Sequence, residues 1–407
     1  MTSFGFDQHT IDRLIAAVCD PERPLDRAER DERFARAAWS GIAEPGDGSA
    51  GALIAAVGPA VALRSVLEAW PIDRTLRVVG ELDSFAASAL EPELAGAVKR
   101  WQPRLKSAEV LHALEQAARV GVRLVAPADP GWPSGLDDLG RHAPVTLWLR
   151  GKAAACDRLE RSVALVGARA ASGYGEHVTM DASAGLVERG FAIVSGAAYG
   201  IDGMAHRAAL AGDGTTVAFL AGGVDRFYPS GHDALLGRIA ASGAVLSEVP
   251  CGAAPTKWRF LQRNRLIAAS ANATVVVEAG RRSGSLNTAG HAAALGRPLG
   301  AVPGPVTSPT SAGCHRLIRD YDAVCVTTVD EMAELVDGVT DAGGPVSGDP
   351  TSEETRVFDA LSTRSARDVQ DVAARAGMAA STVAAVLGLL ELNGRVRERD
   401  KGWVRAS

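Results

Sequence analysis

Short apolar runs alternate with segments of helical spacing through the middle of the chain. Strands that alternate with helices form βαβ units, which build a parallel sheet with helices on both faces. The pattern therefore predicts an α/β core over residues 106–337, in which ligands bind at the carboxyl ends of the strands. The runs expected to form its strands are Val122–Val125, Val163–Val166, Ala192–Val194, Val217–Leu220, Ala244–Leu246, Thr274–Val277, Gly300–Val302 and Ala323–Val326.

The two ends of the chain have a different pattern. Residues 1–105 are rich in Ala, Leu and Arg at helical spacing, which predicts a helical N-terminal domain without candidate chemistry. Gly, Pro and small polar residues predict a linker over 338–352. Residues 353–407 regain helical spacing, with Gly377 at the expected helix–turn–helix corner and a charged turn near the end. This end is therefore predicted to be a winged-helix domain.

Composition restricts the possible partners. The chain has 407 residues, of which 47% are hydrophobic, and a net charge of −5, so any DNA site must be a local basic patch. Its five cysteines form no C-x-x-C pair, which argues against a zinc site and favours a reducing compartment. The chain starts without a signal-peptide pattern and has no apolar run of membrane-spanning length. A cytoplasmic protein that does not contact a membrane is expected.

Two turns after expected strands could offer backbone N–H groups to an anion. Gly167 ends the run Val163–Val166 and is followed by Arg169, which adds a cation beside the turn. Gly196 follows the next expected strand, Ala192–Val194, and also leaves space at the end of that strand. The spacing from Gly167 to Gly173 does not fit the dinucleotide motif G-x-G-x-x-G. A tight turn that needs small residues is the alternative interpretation.

Asp202 and His206 lie four residues apart and therefore on one face of an expected helix. Such a pair could contribute two metal ligands, but a zinc site needs a third, and none is obvious. Asp202 as a helix cap is the simpler interpretation. No metal and no cofactor are predicted.

The segment 257–265, with the sequence K-W-R-F-L-Q-R-N-R, concentrates four cations and two aromatic residues. Cations neutralise phosphates and aromatic rings stack on bases, so this mixture is typical of single-strand binding. A solvated basic helix start is the alternative, but the acidic balance of the whole chain favours a functional patch. The candidate residues here are Lys257, Phe260, Arg263, Asn264 and Arg265.

Ser283, Gly284 and Ser285 open a helix after the run Thr274–Val277. Small hydroxyl groups and free N–H groups at a helix start can hold a phosphate. Ser285 could equally serve only as an N-cap.

Taken in order, these segments resemble the DprA/Smf family. Each block alone is weak evidence for the resemblance, whereas the ordered set across residues 107–327 is specific to this family. The matching blocks are P-A-D-P-G-W-P-S-G-L (Pro127–Leu136), A-L-V-G-A-R (Ala164–Arg169), S-G-A-A-Y-G-I-D-G-M-A-H (Ser195–His206), G-G-V-D-R-F-Y-P (Gly222–Pro229), L-S-E (Leu246–Glu248), F-L-Q-R-N-R-L-I-A-A-S (Phe260–Ser270), S-G-S-L-N-T-A (Ser283–Ala289) and A-V-P-G (Ala301–Gly304).

The resemblance implies an extended Rossmann-like core that forms a homodimer and binds single-stranded DNA. It also implies that the protein loads the RecA recombinase onto that DNA during DNA uptake, natural transformation and recombination, without being an enzyme. The arginine of the G-x-R turn and the lysine and aromatic residue before R-N-R are implied to contact DNA. These positions match Arg169, Lys257 and Phe260.

Three positions depart from the family pattern. Asn287 stands where an aliphatic residue is usual, Cys314-His315 replaces Ser/Thr-Asn, and Tyr321-Asp322 stands where Gly is common. The last two lie near the C-terminal edge of the expected sheet and bear on the pocket rim and on dimerisation.

Two other functions remain open from the sequence. One is a nucleotide-binding or nucleoside-phosphate-cleaving enzyme of the lysine-decarboxylase-like Rossmann group, although Gly222-Gly223 lacks that group's G-T-x-x-E continuation. The other is a transcription regulator that reads duplex DNA through its winged helix. The expected recognition helix, Ser381–Leu392, carries no cation, which disfavours direct readout of base edges.

Overall fold

The computed structural model describes residues 4–127, 129–338, 352–399 and 401–406. The chain divides after Gly338 into two compact units, each of which is described by itself. The linker expected over 338–352 lies outside the described residues except at its two end positions.

The first unit begins with a helical region whose apolar faces pack against one side of a sheet. Trp39 and Trp101 are fully buried there, edge to face with ring centroids 5.0 Å apart. The same hydrophobic core includes Leu236 and Val245 from the sheet region. The region and the sheet thus share one core, and a domain boundary at residue 105 stays a prediction. The helices are α1 (Gln8–Ala16), α2 (Arg27–Ile42), α3 (Gly48–Val57), α4 (Pro59–Leu67), α5 (Ile72–Leu82) and α6 (Ser84–Trp101).

The rest of this unit is a nine-stranded sheet with helices on both faces, which confirms the predicted α/β fold class. Its strands are β1 (Arg123–Val125), β2 (Leu147–Gly151), β3 (Ser162–Gly167), β4 (Ala192–Ser195), β5 (Thr216–Phe219), β6 (Ala244–Ser247), β7 (Ala273–Glu278), β8 (Leu299–Ala301) and β9 (Val324–Cys325). Its helices are α7 (Ser107–Arg119), α8 (Ala154–Asp157), α9 (Gly173–Glu188), α10 (Ile201–Ala211), α11 (Asp233–Ser242), α12 (Lys257–Ser270), α13 (Ser285–Ala294), α14 (Ala312–Asp320) and α15 (Val329–Asp337).

The strand order is β1-β2-β6-β5-β4-β3-β7-β8-β9. Strands β3 to β9 pair in parallel, as predicted, but β1 and β2 add an antiparallel edge. The apolar pattern did not predict β2, whose apolar residues Leu147–Leu149 are fully buried. No crossover helix separates β1 from β2, only the 3₁₀ segment Ser134–His142, so the βαβ pattern gave no sign of this strand.

The strand order also locates the site. From β3 the chain moves outward through β4, β5 and β6, and then returns to the other side of β3 at β7. Parallel α/β sheets bind ligands at such a switch point, where the neighbouring loops leave in opposite directions and open a crevice. The crevice is expected at the carboxyl ends of β3 and β7.

The described residues of the second unit form three short helices and a two-stranded antiparallel wing. Gly377 ends α17 in the left-handed region, at φ 64° and ψ 43°, as a helix–turn–helix corner requires of this position. Leu387 and Leu390 of α18 are buried in its small core. The elements are α16 (Ser352–Ala360), α17 (Val369–Ala376), α18 (Ala380–Leu392), β10 (Val396–Arg399) and β11 (Gly402–Arg405).

Candidate functional site

A cleft of about 970 Å³ opens at the expected switch point, beyond the carboxyl end of β3. The turn after β3, the first turns of α12 and the start of α13 form its walls. The cleft contains Gly167, Arg169, Lys257, Phe260, Arg263, Asn264, Ser283, Gly284 and Ser285 from the predicted site, together with Val166, Ala168, Ala170, Ala198, Asp202, Tyr228, Pro255, Thr256, Leu261, Ile267, Gly280, Arg282 and Thr288.

Helix α12 presents one face to this cleft. Thr256 caps the helix, its hydroxyl oxygen accepting a hydrogen bond from the Arg259 backbone N–H at 3.2 Å. Lys257, Phe260 and Asn264 then follow at spacings of three and four residues, which places them on one side of the helix. Because the run is helical, its basic and aromatic side chains lie on different faces of α12, and only some of them reach the cleft.

Phe260 lies among cations and a second aromatic ring. The Arg169 guanidinium carbon lies 5.1 Å from the Phe260 ring centroid, and the Arg263 guanidinium carbon lies 5.9 Å from it. The Tyr228 ring is tilted at 54° to Phe260, with centroids 5.7 Å apart. Half of the Tyr228 side chain is exposed, which leaves a second ring accessible to a ligand. Tyr228 was not among the predicted site residues, although it falls in the G-G-V-D-R-F-Y-P block.

The charge of the cleft is strongly positive. Its lining contains four cations, Arg169, Lys257, Arg263 and Arg282, and one carboxylate, Asp202. Asp202 is buried, and burial raises its pKa although Arg263 opposes the shift. The local balance is thus opposite to that of the whole chain, whose net charge is −5.

Arg263 belongs to the floor of the cleft more than to its opening. Arg263 is only 5% exposed, and its Nη1 donates a hydrogen bond to the Phe219 carbonyl oxygen at 2.8 Å. Burial lowers the pKa of this guanidinium to about 10, while Asp202 acts to raise it. Arg263 therefore remains charged near neutral pH and supports the Phe260 ring from below.

Gly196 makes room for that guanidinium and does not line the cleft. A Cβ atom at this position would lie 1.7 Å from Nη1 of Arg263, far inside van der Waals contact. The Gly196 N–H points to the protein itself and donates to Asp202 Oδ2 at 3.2 Å. The need for glycine here comes from Arg263.

Asn264 connects α12 to the start of α13. Its side-chain amide donates to the Gly284 carbonyl oxygen at 3.3 Å and to Asn287 Oδ1 at 3.2 Å. Asn287, which departs from the family pattern, thus serves as a polar partner for Asn264.

The hydroxyl oxygens of Ser283 and Ser285 lie 2.7 Å apart in a mutual hydrogen bond. The Ser285 N–H donates to Ser283 Oγ at 3.4 Å, and the next two N–H groups of α13 donate to the carbonyl oxygens of Ser283 and Gly284.

Arg265 lies away from the cleft, contrary to the sequence prediction that grouped it with Arg263 and Asn264. One further residue along an α-helix turns a side chain by about 100°. Nη2 of Arg265 forms a buried ion pair with Glu248 Oε2 at 2.6 Å. Burial raises the pKa of Glu248, while Arg265 opposes the shift.

Asp202 and His206 do not form a metal site with a third ligand. No group of three potential metal ligands occurs among the residues that the structure describes. His206 is fully buried, with its Nδ1 2.7 Å from the Thr216 hydroxyl oxygen, and burial lowers its pKa to about 3. Among the residues that the structure describes, no individual helix combines the length and the apolar composition that a membrane span requires.

The fold and the cleft define an α/β protein with a positive, aromatic-lined crevice at a topological switch point. Residues 123–337 match the profile of the DNA recombination-mediator protein A family, and residues 344–400 match the DprA winged helix domain. The chain belongs to the DprA/Smf family, which confirms the resemblance found in the sequence.

The relatives span much of the chain. A DNA processing protein DprA of Mycobacterium tuberculosis is 48% identical over 306 residues, covering 71% of this chain and 78% of the relative. The DNA processing protein DprA of Streptococcus pneumoniae is 40% identical over 194 residues, covering 47% of this chain and 67% of the relative. The X-ray structure of DprA from Streptococcus pneumoniae matches with a TM-score of 0.56 and 28% identity, over 74% of this chain and 96% of that one.

Proposed function

We propose that the cleft binds single-stranded DNA with little sequence preference. The observation that carries the proposal is the pair of rings, Phe260 and Tyr228, set among four cations at one switch point. Cations attract phosphates of any sequence, and an aromatic ring stacks on any base whose face is exposed. Bases in a duplex are already stacked on each other, so a ring-bearing cleft favours the single strand.

The residues have different roles in this proposal. Arg169 and Lys257 are exposed and hold phosphates, while Phe260 stacks on a base. Gly167 and the segment Ser283–Ser285 belong to the lining of the cleft and contact the backbone of the strand at its edges. Arg263, Asn264 and Gly196 support these groups from within, and Arg265 does not contact DNA.

We further propose that the protein is a cytoplasmic homodimer that loads RecA onto the bound strand, with no cofactor and no catalytic role. The family's description as a recombination mediator supports delivery of DNA to a recombinase. All five cysteines are unpaired, as a reducing compartment favours. Tyr321 and Val324 leave exposed apolar surface at the β9 edge, which supports association of two copies there.

The decisive experiment compares single-stranded and blunt duplex oligonucleotides by fluorescence anisotropy over a series of salt concentrations. We expect tighter binding of the single strand and a steep loss of affinity with salt. Arg169→Ala is expected to weaken binding, whereas Arg207→Ala, which removes an exposed cation of α10 outside the cleft, is the matched control. Equal or tighter binding of the duplex contradicts the proposal.

RecA loading and the absence of catalysis need separate assays. Wild type is expected to accelerate RecA filament formation on single strands, and Arg169→Ala is expected to lose this effect together with DNA affinity. Release of base from a nucleoside 5′-monophosphate by the purified protein would instead favour the enzyme alternative.

A further inference from the structure

Helix α12 has a second face, opposite the cleft, that packs against the N-terminal helical region. Arg259 and Gln262 lie on this face, at a spacing of three residues. A Cβ atom on Gly46 would lie 2.5 Å from Oε1 of Gln262, so the connection between α2 and α3 approaches the helix closely. One helix therefore serves the cleft on one side and the helical region on the other.

Glu44, in that connection, holds Arg259 through both carboxylate oxygens. Nε of Arg259 donates to Oε2 at 3.1 Å, and Nη2 donates to Oε1 at 2.8 Å. Arg104, at the end of the helical region, also donates to Glu44 Oε1. Burial alone would raise the pKa of Glu44, but Arg259 and Arg104 hold it below its usual value. A two-pronged arginine–carboxylate contact fixes orientation as well as distance.

The Glu44–Arg259 contact acts on the turn of α12 that carries the cleft residues. Arg259 lies between Lys257 and Phe260 in the chain, and its Nη1 donates to the Ala254 carbonyl oxygen at 2.9 Å, just before the helix. Thr256 and Lys257 are exposed, so this turn has little packing of its own. The contact with Glu44 therefore stabilises the first turn of α12, which is otherwise largely exposed to solvent.

We infer that the N-terminal helical region positions the DNA-binding turn of α12, and that Glu44 is the positioning residue. Glu44 and Arg104 both lie outside residues 123–337, which the family profile covers. The inference rests on the proposed function, because positioning matters only if the cleft binds a strand. It assigns a role to a region in which the sequence shows no chemistry.

The direction in which Glu44→Gln changes DNA affinity distinguishes a positioning role from a purely electrostatic effect. Glu44→Gln removes a negative charge near a polyanion site, so electrostatics alone predicts tighter binding. Positioning predicts binding about five-fold weaker, equivalent to about 1 kcal/mol, with an unchanged salt slope because no phosphate contact is removed. The matched control is Asp12→Asn, whose carboxylate also pairs with an arginine and whose side chain is equally exposed, at 36%.

A double mutant tests whether Glu44 acts on DNA affinity through Arg259. In a protein that already carries Arg259→Gln, Glu44→Gln is expected to change DNA affinity no further. Unchanged or tighter binding by Glu44→Gln alone, or an undiminished effect without Arg259, would overturn the inference.

Hydrogen exchange gives a readout that needs no DNA. Amides of the first turn of α12 are expected to exchange faster in Glu44→Gln than in wild type or Asp12→Asn, while amides of the sheet stay unchanged. Unaltered exchange in that turn overturns the positioning role even if the cleft binds DNA. If wild type binds no single strand but the exchange difference appears, the proposed function fails and the mechanical contact stands.

Discussion

Replacing Gly196 by Ala is expected to destabilise the sheet-containing unit through Arg263. The added Cβ would lie 1.7 Å from Nη1, 2.3 Å from Cζ and 2.6 Å from Nη2 of that arginine. The guanidinium must move, because no side chain tolerates contacts this short. Movement breaks its 2.8 Å hydrogen bond to the Phe219 carbonyl oxygen and separates it from the buried Asp202.

The magnitude of the destabilisation follows from the lost hydrogen bond and from the overpacking of the site. A charge-assisted hydrogen bond contributes about 1.5–3 kcal/mol, and overpacking a buried site costs about 1–3 kcal/mol. Arg263 is long and can swing partly toward the cleft, which relieves some of the strain. We therefore expect Gly196→Ala to lower the free energy of unfolding by about 2–4 kcal/mol.

Urea unfolding followed by circular dichroism measures this loss. Gly173→Ala is the control, because a Cβ there meets no atom within 4 Å and Gly173 opens helix α9, where Ala is favoured. In a protein carrying Arg263→Ala, the cost of Gly196→Ala is expected to shrink to that of the control. A stable Gly196→Ala protein, or an equal cost with and without Arg263, would refute this account of the glycine.

Three further predictions concern the cleft, the second unit and pH. Phe260→Ala is expected to weaken single-strand binding by about 1–3 kcal/mol at an unchanged salt slope, whereas Lys257→Ala lowers that slope by about one, both measured by anisotropy. A chain ending at Asp337 is expected to keep most of its single-strand affinity in the same assay. Burial lowers the pKa of His206 to about 3, so its proton binds the unfolded state more tightly. Stability is therefore lost as pH falls from about 6.5 toward 3, by up to about 1.4 kcal/mol per pH unit, and urea unfolding of His206→Gln shows a smaller loss.

Each of these has an outcome that contradicts it. Normal DNA affinity in folded Phe260→Ala would mean that the ring only packs in the protein. Loss of binding by the folded chain ending at Asp337 would move the DNA site to the second unit. Identical pH dependence in His206→Gln and wild type would mean that His206 is not titrated on unfolding.

The apolar pattern predicted the parallel part of the sheet well, because each buried strand there is followed by a helix that restores the pattern. It did not reveal β2, since an antiparallel strand needs no crossover helix and its buried apolar run, Leu147–Leu149, is only three residues long. The predicted grouping of Arg265 with Asn264 failed for a geometric reason, as neighbours in sequence lie on different faces of a helix. Tyr228 and Glu44 approach α12 from distant parts of the chain, and no local spacing could predict either contact.

The reversal of charge between the cleft and the rest of the molecule affects how a ligand arrives. A net charge of −5 repels a polyanion overall, whereas the cleft, with four cations and one carboxylate, attracts it locally. Low-dielectric walls focus such a field and raise the rate of productive encounters. A strand is thus oriented before it touches any side chain, and salt that screens over about 10 Å slows its arrival as well as weakening its hold.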